Sequence, residues 1–255
     1  MGDWGASFSI LSNHLILIYI LKGILFTLII SVISVGFGIL IGSILALLRN
    51  YCTRSKSKLF GWIATVYIEV FRNTPLLLWI FICLVFCPCP SFFAQKMFGL
   101  TSVESKLLFK AAVALILFTS SVIAEIVRGG LNSVAVGQFE AGYSQGFSTM
   151  QIMIYIVLPQ AYKNVIPTLL SQVITTIKDS SYLANVATIE LMSRIKQILS
   201  GAHRYNGTGM IGVSDVFVLF GLAALIYFII NYSLSCVVRR VQKKNGRTVK
   251  VLMEN

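Results

Sequence analysis

The run of apolar residues from Gly23 to Leu48 constrains the fold of this chain more than any other feature. It contains no charged residue, and its 26 residues would form about 39 Å of α-helix. That length crosses a hydrocarbon core of about 30 Å with some tilt. Over the whole chain 56% of residues are hydrophobic and 12% are charged, whereas soluble domains average about 25% charged. The sequence therefore predicts an all-α membrane protein with a single domain over residues 1–255.

Four further stretches resemble membrane spans, so we predict about five transmembrane helices. The five predicted spans, including the first, cover residues 15–48, 59–86, 106–128, 164–179 and 216–238. Small residues recur every four positions in the first span, where they allow another helix to approach closely; they are Ser34, Gly38, Gly42 and Ala46. We expect that stripe to pack within the chain rather than form a dimer seam. The less hydrophobic residues 180–212 have apolar residues at helical spacing and favour one amphipathic interfacial helix. Its apolar positions are Leu183, Val186, Ala187, Leu191, Ile195 and Ile198.

Lys and Arg residues are distributed unevenly between the two sides of such a bundle. The 49–58 loop, the 128–163 loop and the C-terminal tail together hold twelve, and the opposite side holds seven. Because positive residues are enriched in cytoplasmic loops, the count predicts an extracytoplasmic N-terminus and a cytoplasmic C-terminus. The net charge of +12 is thus explained by topology and by contact with lipid headgroups, without nucleic acid.

One of the predicted cytoplasmic segments, Glu140–Pro159, has the signals of two short helices joined by a sharp turn. Gly146 is a natural left-handed stop for the first helix. Ser148 and Gln151 form a capping box that begins the second, and Pro159 is expected to end it. Glu140 is expected near the N-terminus of the first helix, where a carboxylate complements the helix dipole. A bare loop has no need of two helices, so we expect a partner to dock here.

The spacing within this segment resembles the EAA signature of the membrane subunits of ABC importers. The family pattern is E-A-A, three residues, G, nine residues and I-x-L-P, and this chain matches it at Glu140, Ala141, Gly146, Leu158 and Pro159. The departure is Gly142, where alanine is usual. Three further stretches are similar to the polar amino-acid branch (histidine, glutamine and arginine) of these permeases. They are EVFRNTPLLLWIF (69–81), AEIVRGGLNSVAVGQ (124–138) and IKDSSYLANVATIEL (177–191).

The resemblance implies the type I importer permease fold, with a cytoplasmic coupling helix within residues 137–160. It implies an ATP-driven importer of a polar amino acid in the bacterial cytoplasmic (inner) membrane. The expected partners are two ATP-binding subunits, an extracytoplasmic solute-binding protein and a second permease, identical or homologous. The chain lacks G-x-x-x-x-G-K-[ST], so ATP would be bound by the partner and this subunit would be no enzyme and hold no cofactor.

Ionisable residues inside predicted spans are candidates for substrate contact, because they are costly in a membrane and usually face a cavity or one another. Glu69 and Arg72 share a helix face just before Pro75, which breaks the helix. Counting residues from the span ends places Arg72 and Asp179 at similar depths. We predict a substrate site made of Glu69, Arg72 and Asp179, with Lys178 and Ser180 as second choices; the alternative is that Glu69 and Arg72 simply pair to fold the helix. Glu125 and Arg128 are expected to form a structural salt bridge.

Two functions from other classes compete with an importer subunit. The intramembrane charges alone would suit a stand-alone channel or an ion-coupled carrier of small polar solutes. The sequence Cys87-Pro88-Cys89 resembles the intramembrane motif of heavy-metal pumps. Those pumps carry soluble ATPase domains that this chain lacks, so we predict no metal site.

Overall fold

The computed structural model describes residues 4–51, 58–96, 99–186, 188–204 and 209–253. Every regular element in these residues is helical, as predicted. The α-helices of six or more residues are α1 (Trp4–Ser9), α2 (His14–Tyr51), α3 (Lys58–Arg72), α4 (Leu76–Phe86), α5 (Ser102–Asn132), α6 (Val136–Ser144), α8 (Leu158–Asp179), α9 (Leu191–Gly201) and α10 (Val213–Met253). A short α-helical turn, α7 (Thr149–Gln151), and a π-helical stretch (Ile152–Val157) precede α8 without a break. Arg54 and Lys56 of the predicted basic loop, Ala187 of the apolar stripe and the last two residues lie outside the described residues.

In the part of the chain that the structure describes, three helices are long and apolar enough to cross a membrane, namely α2, α5 and the Val213–Lys243 part of α10. The helices α3 and α4 qualify only when they are taken together, as a broken span or a re-entrant loop. The break falls at residues 73–75, where Pro75 was expected to interrupt the helix. The predicted span at 164–179 is helical as part of α8, yet α8 does not reach the hydropathy of the other spans. Lys163, Lys178 and Asp179 contribute to its polarity, and the number of spans stays a prediction.

The chain divides into two compact units, each with its own apolar core. One unit comprises residues 4–33, 77–115 and 174–236. Its core joins α9 to the N-terminal half of α2 and to α10, through residues that include Ile16, Ile20, Leu191, Ile195 and Leu219. The apolar face of α9 is therefore covered by protein. The structure also splits the predicted 180–212 helix, with a 3₁₀ helix at Ser180–Val186 and α9 beginning only at Leu191. The prediction of one interfacial helix was wrong, although its described apolar positions are all buried.

The other unit comprises residues 34–76, 116–173 and 237 onward. Its core packs α2, α5, the π-helical stretch and α8 around residues such as Val35, Ile123, Ile152, Val157 and Val165. The small-residue stripe of α2 lies against α5 here. A Cβ atom at Gly42 would come within 2.7 Å of the Ser120 carbonyl oxygen, and one at Gly38 within 3.1 Å of Ile123. Ser34 and Ala46 are buried as well, so these contacts confirm packing within the chain.

Candidate coupling segment and charged cluster

Helix α6 presents the first half of the predicted coupling segment. It begins at Val136, four residues before Glu140, so the first turn contains no acidic residue. The prediction that Glu140 sits at a helix N-terminus was wrong. The helix starts earlier because Ala135 takes an extended conformation and α5 runs on to Asn132. Glu140 and Ala141 are exposed on α6, whereas Gly142 is buried.

The C-terminus of α6 is closed by a Schellman motif centred on Gly146. The Phe147 amide donates to the Gly142 carbonyl at 3.1 Å, and the Gly146 amide donates to the Tyr143 carbonyl at 2.9 Å. Gly146 has φ of +79°, a conformation that costs glycine little and an L-residue with a side chain more. The predicted left-handed stop at Gly146 is confirmed.

The second half of the segment begins with the predicted capping box. The Ser148 hydroxyl accepts from the Gln151 amide, and the Gln151 side chain accepts from the Ser148 amide at 2.8 Å. The chain then widens into a π-helix, in which the Leu158 amide donates to the Met153 carbonyl five residues back. The expectation that Pro159 ends the helix was wrong, because α8 continues through it to Asp179. Proline clashes with the carbonyl four residues earlier in an α-helix, and the wider π-helical turn directly before it relieves that crowding.

The segment packs against the C-terminal end of α5 and the N-terminal end of α8. Gly130 of α5 packs directly on α8, because a Cβ atom there would lie 2.5 Å from Val165 and 2.9 Å from the Ala161 carbonyl oxygen. The side-chain amide of Gln160 (Nε2) donates to the side-chain oxygen Oε1 of Gln138 on α6 at 2.9 Å. Leu158 is partly buried against the core, whereas Pro159 is exposed. These contacts place α6 on one side of a rigid junction between two long helices.

Charged side chains from α2, α3 and α5 form a cluster beside this junction. Arg49 donates to Glu69 and to Glu125, both at 2.7 Å. Arg128 binds Glu125 through two nitrogens at 2.8–3.0 Å, which confirms the predicted salt bridge. Arg72 lies 3.7 Å from the Glu125 carboxylate. Glu125 therefore faces three arginines and is mostly buried, so its charge is compensated locally rather than by water.

The predicted substrate residues Glu69 and Arg72 both belong to this cluster. The Glu69 carboxylate accepts from Arg49 at 2.7 Å and from the side-chain amide of Asn73 at 3.1 Å. Glu69 is thus paired with Arg49 and Arg72 with Glu125, rather than with each other as in the alternative interpretation. Arg49 lies 20 residues from Glu69 in sequence, and the loop between them gave no signal that the two would meet.

An open cavity of about 820 Å³ adjoins the cluster. Its polar lining includes Arg49, Asn50, Thr65, Arg128 and Asn132. Its apolar lining comes from Val134, Val136 and Phe139, where α6 begins. The first turns of α6 are therefore open to solvent on the side that faces the arginines.

The other predicted substrate residues, Lys178, Asp179 and Ser180, lie in the first unit at the end of α8. Lys178 is exposed, Asp179 is partly buried and Ser180 is buried. The Ser180 hydroxyl donates to the Ile177 carbonyl at 2.8 Å. The substrate site remains a prediction for all five residues.

Glu190 is a buried carboxylate whose environment the sequence did not indicate. Its side chain accepts from the Met192 and Ser193 amides at 2.7 and 2.5 Å and caps α9. The Tyr227 hydroxyl donates to it at 3.3 Å, and Thr27 accepts from the neighbouring Leu191 amide. Burial raises the pKa of Glu190 to about 7, although the hydrogen bonds from Met192, Ser193 and Tyr227 act in the opposite direction. Its position just before an apolar helical run was the available clue to capping.

The cysteines of the Cys87-Pro88-Cys89 sequence interact locally. Each thiol contacts the carbonyl of the proline that follows it, at 3.7 and 3.6 Å. Among the described residues, no three His, Cys, Asp or Glu side chains are grouped closely enough to hold a metal ion.

Comparisons with known proteins all point to the same protein family. The model of the family described as "Binding-protein-dependent transport system inner membrane component" matches residues 38–247. The chain is 35% identical over 226 residues to the probable glutamine ABC transporter permease protein GlnP of Bacillus subtilis, covering 89% of this chain and 93% of that protein. It is 31% identical to the arginine transport system permease protein ArtQ of the same organism, covering 89% and 92%. It is 32% identical to the glutamate/aspartate import permease protein GltK of Escherichia coli O6:H1, covering 89% and 94%.

Solved structures share the fold. A chain from the crystal structure of an amino acid ABC transporter with histidines superimposes with a TM-score of 0.68 at 27% identity, covering 89% of this chain and 94% of that one. A chain of the inward-facing MetNI methionine ABC transporter gives 0.63 at 21% identity, covering 90% and 99%. The second likeness concerns the fold alone.

Proposed function

Since the chain belongs to the family of binding-protein-dependent transport system inner membrane components, we propose that it is the permease subunit of an ATP-driven importer for a polar amino acid. It is a multi-pass protein of the inner membrane. The observation that carries the proposal is the segment Val136–Pro159, a helix with a Schellman stop and a capped restart that is exposed on one side and fixed to two long helices on the other. Such a segment is suited to receive force from a docked partner.

The partner at this segment is an ATP-binding subunit, and the exposed side chains of the segment suit a protein interface. Tyr143, Met150 and Tyr155 are each more than half exposed. Aromatic residues and methionine are enriched in the buried centres of protein interfaces. The exposed Glu140 carboxylate adds an acceptor for charge-assisted hydrogen bonds from a basic partner residue. Two such subunits serve a pair of permeases, this chain and an identical or homologous copy.

The orientation follows from the distribution of Lys and Arg. The coupling segment and the C-terminus lie in the cytoplasm with the ATP-binding subunits, and the N-terminus lies outside. The solute-binding protein delivers substrate on that outer side. Basic residues of the C-terminal tail contact lipid headgroups at the cytoplasmic surface.

The substrate class rests on the relatives, whose names include glutamine, arginine and glutamate with aspartate. These molecules share an α-ammonium and an α-carboxylate group and differ in the charge of the side chain. Asp179 provides an anion for the ammonium and Lys178 a cation for the carboxylate, with the Ser180 hydroxyl beside them. Glu69 and Arg72 are secondary candidates, because each would exchange an existing ion pair for one with substrate.

Charge reversal at Glu140 tests the proposed function. The permease is reconstituted with its ATP-binding subunits and solute-binding protein, and ATP-dependent amino-acid uptake is measured. Glu140→Arg should insert into the membrane normally but lose most uptake, because an exposed acceptor becomes a repelling cation at the docking surface. Lys243→Glu, a charge reversal of the same size and opposite sign at an exposed residue of α10, should transport as the unmodified protein does. Uptake by Glu140→Arg at the unmodified rate, or uptake driven by an ion gradient without ATP, would contradict the proposal.

A further inference from the structure

The open cavity between the charged cluster and the start of α6 has a lining that suits an acidic partner. Every polar side chain that lines it can donate hydrogen bonds; they are Arg49, Asn50, Thr65, Arg128 and Asn132. No carboxylate lines it in the part of the chain that the structure describes. We propose that this cavity receives an acidic side chain of the ATP-binding subunit, as a second docking contact beside α6. The inference rests on the proposed function, because it names a further contact with the same partner.

The charge balance of the cluster beside the cavity favours an additional anion. Its three guanidinium groups, from Arg49, Arg72 and Arg128, face the two carboxylates of Glu69 and Glu125, which leaves one positive charge uncompensated within the cluster. The Arg128 side chain is 35% exposed, and within the described residues its hydrogen bonds to Glu125 use Nε and Nη2. Its Nη1 group therefore keeps both hydrogens for a further acceptor, and arginine binds a carboxylate better than a neutral oxygen.

The position of the apolar lining favours a protein segment over a lipid. Arg49 and Arg128 lie at the cytoplasmic ends of their predicted spans. The apolar residues Val134, Val136 and Phe139 also line the cavity, and they follow Arg128 in the chain, on the cytoplasmic side of it in the predicted topology. The acyl chains of a phospholipid extend toward the membrane, away from these residues. A protein segment that carries an acidic and an apolar side chain uses both parts of the lining.

The cavity is continuous with the proposed docking surface on α6. Val136 and Phe139 both belong to that helix, and Val136 is 71% exposed. The exposed Glu140 follows directly, so a subunit that docks on α6 also reaches the cavity. Glu140 suits a basic group of that subunit, whereas the cavity suits an acidic one. Because complementary charges of opposite sign fix the register of an interface, the two contacts together orient the ATP-binding subunit on the permease.

Position 132 allows a charge to be placed in the cavity after the protein has folded. Asn132 is the last residue of α5, is exposed and lines the cavity. A cysteine there is modified with sulfonatoethyl methanethiosulfonate, which adds a negative charge, or with trimethylammonioethyl methanethiosulfonate, which adds a positive one. The matched position is Asn164, an exposed residue of α8 that does not line the cavity. The unmodified permease, treated in the same way, accounts for the five native cysteines.

The experiment measures the affinity of the full-length permease in lipid nanodiscs for its purified ATP-binding subunits. With Asn132→Cys, the sulfonate should give binding about tenfold weaker than the ammonium group, because the sign of a charge close to the partner carboxylate is reversed. The difference should shrink at high salt, since salt screens exposed charges. With Asn164→Cys, the two reagents should give the same affinity.

Equal affinities for the two charges at position 132, or tighter binding with the sulfonate, overturn the inference. A charge effect of the same size at position 164 also overturns it, because the partner would then sense only the general field of the permease. If Asn132→Cys does not accumulate in the membrane, Asn132→Asp and Asn132→Lys are compared in the same assay, and equal affinities count against the cavity. Failure of the proposed function itself would appear separately, as normal uptake by Glu140→Arg.

Discussion

The junction between α5 and α8 makes a quantitative prediction for two adjacent glycines. Gly130 is buried against α8, and a Cβ atom there would lie 2.5 Å from Cγ1 of Val165 and 2.9 Å from the Ala161 carbonyl oxygen. Its neighbour Gly129 has nothing within 4 Å of the same atom. Gly130→Ala should therefore destabilise the permease, whereas Gly129→Ala should leave it unchanged or slightly more stable.

The size of the difference follows from the overlap. Contacts of 2.5 and 2.9 Å fall short of normal carbon separations by about 1 Å, and a backbone carbonyl cannot rotate away as a side chain can. Overpacking of this kind costs about 1–3 kcal/mol. The helix propensity gained on replacing glycine by alanine is about 1 kcal/mol at most and is shared by both variants, so it cancels in the comparison. We expect Gly130→Ala to be less stable than Gly129→Ala by about 2 kcal/mol.

Thermal unfolding of the purified permease in detergent is the assay. For a chain of this size about 2 kcal/mol corresponds to a difference of roughly 4–8 °C in melting temperature. Both variants should insert into membranes at the level of the unmodified protein. Equal melting temperatures for the two variants would refute the close approach of α5 to α8 and, with it, the rigid junction on which α6 is mounted.

Three further predictions concern ionisable residues. Asp179→Asn should raise the Michaelis constant for uptake without changing complex assembly, and an unaltered constant would count against a substrate role. Glu125→Gln should lower thermal stability, because three arginines lose their shared carboxylate; the cost is about 1–3 kcal/mol for this partly exposed cluster, and an unchanged melting temperature would contradict it. Glu190 has its pKa raised to about 7, so its contribution to stability is full below pH 4.5 and lost as pH rises through 7. Relative to Glu190→Gln, the unmodified permease should lose up to about 3 kcal/mol of stability over that range, and parallel pH profiles would refute the shift.

The local features of the coupling segment were predictable because a few adjacent residues determine them. The left-handed stop needs only a glycine after a helical run, and the capping box needs only Ser148 and Gln151 at their spacing. The start of α6 at Val136 was not predictable in the same way, because Ala135 provides no capping side chain. The π-helical turn before Pro159 was missed because proline alone indicates a break, and the alternative depends on the core that holds Ile152 and Val157.

Contacts between residues of different helices could not be predicted from the sequence. Spacing along one helix suggested the Glu125–Arg128 pair, which the structure contains. The same rule applied to Glu69 and Arg72 did not foresee Arg49, which arrives from another helix. Likewise, the periodicity of residues 183–198 correctly identified a buried face. It did not show whether lipid or other helices of the protein would bury that face. In both cases the deciding information is which helices become neighbours.

Site-specific photo-crosslinking at the coupling segment tests the central claim most directly. A crosslinking amino acid at Met150, which is 68% exposed, is compared with one at Val213, which is 71% exposed at the start of α10 and is predicted to lie on the outer side. In vesicles containing the complete transporter, the probe at Met150 should yield a product with the ATP-binding subunit and the probe at Val213 should yield none. A product from Val213, or none from Met150, would contradict a cytoplasmic coupling segment that docks on an ATPase.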